Sequence, residues 1–152
     1  VFVGLIVGII CSLIGSQIML QGDGFEFAAV AFRVGIASAT AFLIAQLLDI
    51  AVFNRLRDGS WWKAPLGSTL VSSTVDTAVF FSIAFSAAFN TLLPRPYEVD
   101  WAQGMVPFLN VGPEVPLWTS LAVADWGVKL AIALIALVPF RIIVGRFAAA
   151  RG

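Results

Sequence analysis

Three aspartates and a lysine interrupt the long apolar runs of this chain, and any chemistry it performs would start from them. Asp49 lies in AFLIAQLLDIAVF, Asp76 in STLVSSTVDTAVFFSIAF, and Asp125 and Lys129 in ADWGVKLAIALIAL. An ionised side chain at the centre of a membrane-spanning helix costs roughly 2.5–3.5 kcal/mol on insertion scales. Groups kept at that cost pair with one another, face water or bind a solute. Thr69, Ser72, Ser73, Thr77 and Phe80 recur with Asp76 at three- and four-residue spacing, so one helix face carries them all. Asp125 and Lys129, four apart, are able to close an internal salt bridge. Gln46 precedes Asp49 by one turn, and an amide there either bonds across to a neighbouring helix or serves a ligand. Two readings follow. In one, these groups only fasten helix to helix. In the other they line a polar cavity with aromatic walls from Phe42, Phe80 and Trp126, which is the general form of a small-molecule site.

Catalytic readings are poorer. The chain has no His and one cysteine, Cys11, so the commonest metal ligand and proton shuttle is missing and no intrachain disulfide is available. No HExxH, GxSxG or Walker loop occurs, and nothing supplies a nucleophile beside the carboxylates. Neither an enzyme nor a resident cofactor or metal is expected.

The elements that must position these residues are membrane helices. Hydrophobic residues make up 60% of the chain and charged ones 12%, with mean hydropathy +0.97, against about 25% charged in soluble domains. Spanning helices need about 20 mainly apolar residues. The pattern predicts an all-α integral membrane protein, a single transmembrane domain over residues 1–152 with four transmembrane helices at about 1–20, 28–53, 69–93 and 118–144. Small residues Gly4, Gly8, Ser12, Gly15 and Ser16 suit close packing of the first. In the second, Gly35, Ser38, Phe42, Gln46, Asp49 and Phe53 form a stripe expected to look into the bundle, and Arg33, near its outer end, is expected to snorkel toward the headgroups. Residues 21–27 read as a turn, and Pro139 should bend or weaken the inner end of the last helix.

Of the nine basic residues, Arg55, Arg57 and Lys63 lie in the connector 54–68 and Arg141, Arg146 and Arg151 in the tail, whereas the proline-rich loop 94–117 has Arg95 alone against Glu98, Asp100 and Glu114. The positive-inside rule makes 54–68 a cytoplasmic connector, 94–117 an external loop, and the C-terminus cytoplasmic. A loop of this length has a function of its own, such as a lid, or local structure. On helix rise alone, Lys129 sits near mid-membrane, Asp125 in the outer half, Asp76 about a third of the way in from the cytoplasm, and Asp49 within about 6 Å of the inner end. The chain begins at Val1 inside an apolar run with no basic leader, unlike a signal peptide, and a truncated N-terminus is expected.

Four blocks in order, FLIAQLLDIAVFNRLR, WW, STLVSSTVDTAVFFSIAF and ADWGVKLAIALIALVPFR, resemble the queuosine precursor transporter family, also called the vitamin uptake transporter family, of bacterial inner-membrane proteins. The resemblance covers residues 30–141. It implies that the four helices are the C-terminal part of a six-helix bundle. It also implies import of 7-cyano-7-deazaguanine or its aminomethyl form into the cytoplasm for tRNA modification. A guanine-like ring offers two adjacent N–H donors and a carbonyl on one edge, and its faces favour aromatic stacking. On that implication Asp76 or Asp49 would meet the donor edge, Lys129 or Gln46 the carbonyl, and Trp126 or Phe80 the ring face, with Asp125 beside Lys129. The partners expected are a small-molecule substrate and the lipid bilayer, not nucleic acid; a homo-oligomer and an energising partner both remain open. The alternatives are a transporter of another vitamin-like or nucleobase solute, and a non-transporting membrane scaffold.

Overall fold

The computed structural model describes residues 2–22, 25–28, 31–93 and 97–149. Its architecture is all-α, with two small hairpins in the connections. Helix α1 (Phe2–Gln17) leads into the antiparallel pair β1 (Met19–Gly22) and β2 (Phe25–Ala28), with Met19 opposite Ala28 and Gly22 opposite Phe25. Helices α2 (Phe32–Leu56), α3 (Lys63–Phe85) and α4 (Leu117–Ala149) follow. Among the described residues, three helical stretches are long and apolar enough to cross a membrane: Phe32–Leu56, Lys63–Phe85 and Leu117–Ile143. At about 1.5 Å per residue, α1 is roughly 24 Å long, shorter than a hydrocarbon core of about 30 Å. The segment expected to complete it pairs as β1 instead.

Several boundaries differ from those the pattern predicts, each for a local reason. Helix α3 starts at Lys63 rather than near residue 69, because Pro65 falls in the first turn, where a missing N–H costs nothing. It ends at Phe85 rather than near residue 93: Ser86 turns extended at φ −70°, ψ 138°, and a 3-10 turn, Ala87–Phe89, follows. The continuing apolar sequence conceals this stop. Helix α2 runs to Leu56, and the turn before α3 shrinks to residues 57–62. Helix α4 continues through Pro139 to Ala149.

The α2–α3 pair forms the backbone of the fold. Arg33, Ala37, Ala41 and Ala45, spaced by four, are the buried seam of α2, and Ala64, Ser68, Ser73, Thr77, Phe81, Ala84 and Phe85 are buried on α3. Alanine side chains let two backbones approach closely, and dispersion then does the packing that the hydrophobic effect cannot do in lipid. This corrects the expected inward stripe. The alanines one position earlier take the tightest contact, and Phe42, Gln46 and Asp49 are left flanking it, Phe42 exposed and the other two half-buried.

At the far end from the α2–α3 turn, the loop folds back over the helices. A 3-10 stretch, Tyr97–Gln103, precedes β3 (Met105–Pro107), which pairs antiparallel with β4 (Glu114–Pro116). Val99 and Ala102 are buried against Ala37, Phe81, Ala84 and Phe85 in the apolar core, with Trp118 and Ala122 of α4 packed beside it. Leu109 and Asn110 take φ of 50° and 66° in the hairpin connection. The apolar surface is turned outward, as a bilayer requires: Val128, Ile132, Ile135 and Val138 form an exposed row on α4.

Candidate functional site

The polar residues of three helices converge on the connector side of that core. From α2 come Phe42, Ala45 and Gln46, from α3 Ser72, Ser73 and Asp76, and from α4 Lys129; together they line a cleft of about 170 Å³. The sequence explains how. Residues 42, 45 and 46 on α2 and 72, 73 and 76 on α3 occupy single faces by three-and-four spacing, and the alanine seam brings those faces together.

Lys129 is the hub. Its Nζ lies 2.7 Å from Asp76 Oδ2 and 2.5 Å from Asp125 Oδ2, and donates to Thr77 Oγ1 at 3.1 Å. The buried Thr77 hydroxyl in turn donates to Asp125 Oδ2 at 2.9 Å. One ammonium therefore serves two carboxylates, within α4 and across to α3. The predicted i,i+4 pair is present, but it is half of a larger arrangement. Lys129 points toward α3 because the Asp76 carboxylate and the Thr77 hydroxyl wait there, beside Asp125 of its own helix, and a lone ammonium in hydrocarbon would not persist.

The other predicted residues separate. Asp49 accepts from Ser72 Oγ at 3.3 Å, at the edge of the lining next to Gln46. Gln46 has no hydrogen bond to another described residue and is one of the residues that line the cleft. Trp126 is outside the lining: its Nε1 donates to Thr74 Oγ1 at 2.9 Å, and that hydroxyl donates to Leu70 O at 2.6 Å. Phe80 belongs to the aromatic cluster, edge-on to Phe81 at 5.1 Å and to Phe85 at 6.3 Å. Of the three aromatic walls expected, the cleft receives Phe42. Thr77 is the member that a search for charges overlooks. Its signal was its place on the hydroxyl face, one residue from Asp76.

Arg33 also departs from expectation. It is 2% exposed, and does not reach for headgroups. Its Nε donates to Ile83 O at 2.6 Å, Nη2 to Ser86 O at 2.6 Å, and Nη1 to Asn90 Oδ1 at 2.7 Å and Leu93 O at 3.0 Å. A helix end leaves its last carbonyls without intrahelical donors. The guanidinium finds them closer than it would find lipid phosphates. Among the described residues no cluster of three or more His, Cys, Asp or Glu could hold a metal ion.

Comparison with known proteins adds to this geometry. A family model described as "Putative vitamin uptake transporter" matches residues 1–144. A "Probable queuosine precursor transporter" of Haemophilus influenzae is 42% identical over 114 residues, covering 71% of this chain and 46% of the relative. The "Queuosine precursor transporter" of Escherichia coli is 38% identical over 92 residues, 56% of this chain and 42% of the relative. A "Probable queuosine precursor transporter" of Bacillus subtilis is 27% identical over 110 residues, 69% of this chain and 38% of the relative. The chain thus spans about half the length of the curated relatives it matches. No solved structure matches.

Proposed function

Because this chain belongs to the vitamin uptake transporter family, a family of transporters and not of enzymes, we propose that it is the substrate-handling C-terminal part of an importer of a queuosine precursor. The substrate is 7-cyano-7-deazaguanine or its aminomethyl form, carried across the bacterial inner membrane by a multi-pass protein. In this reading α2, α3 and α4 are spanning helices of a six-helix bundle to which α1 also belongs, and the α2–α3 turn and the C-terminus face the cytoplasm. The names of the relatives and the chemistry of the cleft support it.

One observation carries the reading: the Asp76–Lys129 pair, 2.7 Å between Oδ2 and Nζ, at the cleft wall. Taken as a unit, Asp76 Oδ1, Asp76 Oδ2 and Lys129 Nζ offer two acceptors and then a donor. A 2-amino-4-oxo pyrimidine edge offers the complement, two N–H donors and then a carbonyl. Adenine-type edges do not. Lys129 stays anchored by Asp125 and Thr77 while the donor held by Asp76 turns to the solute carbonyl, and the Asp76 carboxylate accepts from the solute in its place. In this reading Phe42 supplies the apolar face, and the Gln46 amide and Ser72 serve the substituents of the five-membered ring. Asp125 positions Lys129 and does not touch the solute.

The test is rescue of a bacterium that lacks both precursor synthesis and its own importer, using the full-length gene and measuring queuosine in tRNA. Restoration is expected. Competition by 7-deazaguanines and guanine but not by adenine is expected in the same assay, and adenine competing equally would remove the edge assignment. A packing role for the same residues is favoured by the fact that Lys129 is already fully engaged by Asp76, Asp125 and Thr77. It predicts that Asp76→Asn lowers membrane abundance, whereas the substrate role predicts lost uptake at unchanged abundance.

A further inference from the structure

The last carbonyls of α3 are held by two side chains from two other elements. Arg33, on the first turn of α2, takes Ile83 O and Ser86 O, and continues to Asn90 Oδ1 and Leu93 O beyond the helix. Gln103, at the end of the loop's 3-10 stretch, donates from Nε2 to Phe85 O at 2.8 Å. The guanidinium thus lies at the negative end of the α3 dipole, where a cation is favoured, and away from water, where its bonds are hard to replace. Immediately beneath are Phe80, Phe81 and Phe85, stacked against Val99, Ala102 and the edge of Trp101 at 6.1 Å from Phe85. Along α3 this layer lies between the cleft residues Ser72, Ser73 and Asp76 and the loop end of the helix. At the opposite end, α2 and α3 are joined covalently through residues 57–62. The pair is therefore joined at one end by the chain, and at the other by these side-chain hydrogen bonds over the packing of Ala37 on Phe81, Ala84 and Phe85.

We propose that Arg33 and Gln103 are the clasp of a gate that closes the cleft toward the loop end, with Phe80, Phe81 and Phe85 as its plug. The proposal rests on the transport reading, since a gate has meaning only if solute passes. In the described conformation the gate is shut. Opening parts α3 from α2 at this end, pivoting on the 57–62 turn, and releases the Ile83 and Ser86 carbonyls from Arg33 and the Phe85 carbonyl from Gln103. Arg33 is a positioning residue here and does not touch the solute. Lysine at position 33 carries the charge but lacks the fork that reaches four acceptors on separate segments.

The experiment uses the full-length protein with every native cysteine, Cys11 included, replaced by Ser and Ser73→Cys introduced as the sole cysteine, in vesicles of one orientation. A membrane-impermeant thiol reagent is added on the loop side. With Arg33 present the reporter thiol is expected to be protected. Arg33→Met should raise its labelling rate about tenfold or more, the scale set by loss of one or more charge-assisted hydrogen bonds, and Arg33→Lys should fall between. Labelling from the connector side should not change. An Arg33→Met protein of normal abundance and melting temperature whose reporter stays protected on the loop side overturns the clasp, as does ready labelling with Arg33 intact. If Arg33→Met does not reach the membrane, Gln103→Leu decides by the same two criteria. A purely structural role would lower the melting temperature without side-selective labelling. The assay needs no substrate, so failure of queuosine rescue leaves its outcome readable.

Discussion

Lys129 is shared between two carboxylates that are not equivalent. Asp125 is on its own helix and stays near it however α3 and α4 move, whereas Asp76 must be brought to it by packing. Neutralising Asp76 removes the acceptor that spans the helices and lines the cleft. Asp76→Asn and Lys129→Met are each expected to cut initial uptake by about tenfold to a hundredfold, the range of one charge-assisted hydrogen bond of about 1.5–3 kcal/mol, at equal membrane abundance. Asp125→Asn should be milder, since Asp76 and Thr77 still hold the ammonium. Uptake kinetics normalised to protein in the membrane check both, and an Asp125→Asn defect larger than that of Asp76→Asn would reverse the assignment. The aromatics divide in the same way. Phe42→Ala should raise KM with little change in melting temperature, because Phe42 lines the cleft and is exposed. Phe80→Ala should do the opposite, because Phe80 packs edge-on into the cluster with Phe81 and Phe85. The sequence offers Phe42, Phe80 and Trp126 alike as walls of the cavity, but which ring faces the cleft depends on helix rotation, which three-residue spacing fixes only to about one position.

At the scale of the element, the alanine seam sets the spacing on which the cleft depends. Ala37 and Ala41 are 0% and 1% exposed. Overpacking such a position costs about 1–3 kcal/mol. Ala41→Leu is therefore expected to lower the melting temperature in detergent and to weaken uptake together, whereas Ile44→Leu, on the exposed face one turn later, should change neither. Equal behaviour of the two variants would show that the seam does not set the geometry. Gly67 is a second close approach, on the other helix: a Cβ there would meet Leu56 Cδ1 at 2.6 Å. Leu56 is the last residue of α2, and its side chain would have to swing away. The helix types were legible in hydrophobic runs of sufficient length. Their ends were not, because Pro65 is compatible with a first turn and because α3 stops at Ser86 inside sequence that is still apolar. The hairpins were hidden for a related reason: a four-residue strand leaves no period to detect.

For the whole molecule, the prediction concerns sidedness. The guanidinium of Arg141 lies 5.5 Å from the centroid of the Trp61 ring, so the end of the last apolar stretch and the α2–α3 turn belong to one face. Tags or reporters placed at residues 59–60 and at the C-terminus should report the same compartment, the cytoplasm by the positive-inside rule, and one in the β3–β4 connection the opposite compartment. A reporter at 59–60 exposed outside would invert the topology without moving any residue of the cleft. The same cation-π contact, worth about 0.5–1 kcal/mol at an exposed site, ties the tail of α4 to a turn that carries Arg57 and is flanked by Arg55 and Lys63.

Composition and charge placement alone determined that this is a membrane protein built of long helices, that its basic connector and tail share a side, and that Asp49, Asp76, Asp125 and Lys129 need partners. These follow from transfer free energies and from i,i+4 geometry, both of which are local. Only the tertiary structure decided that Lys129 bridges α3 and α4, that Phe42 rather than Phe80 or Trp126 walls the cleft, and that Arg33 turns inward to the carbonyls of α3. A local rule places a side chain relative to its own helix axis. Which neighbour lies across from it, lipid, water or the open end of another helix, is set by how the alanine seam and the folded loop bring distant segments together.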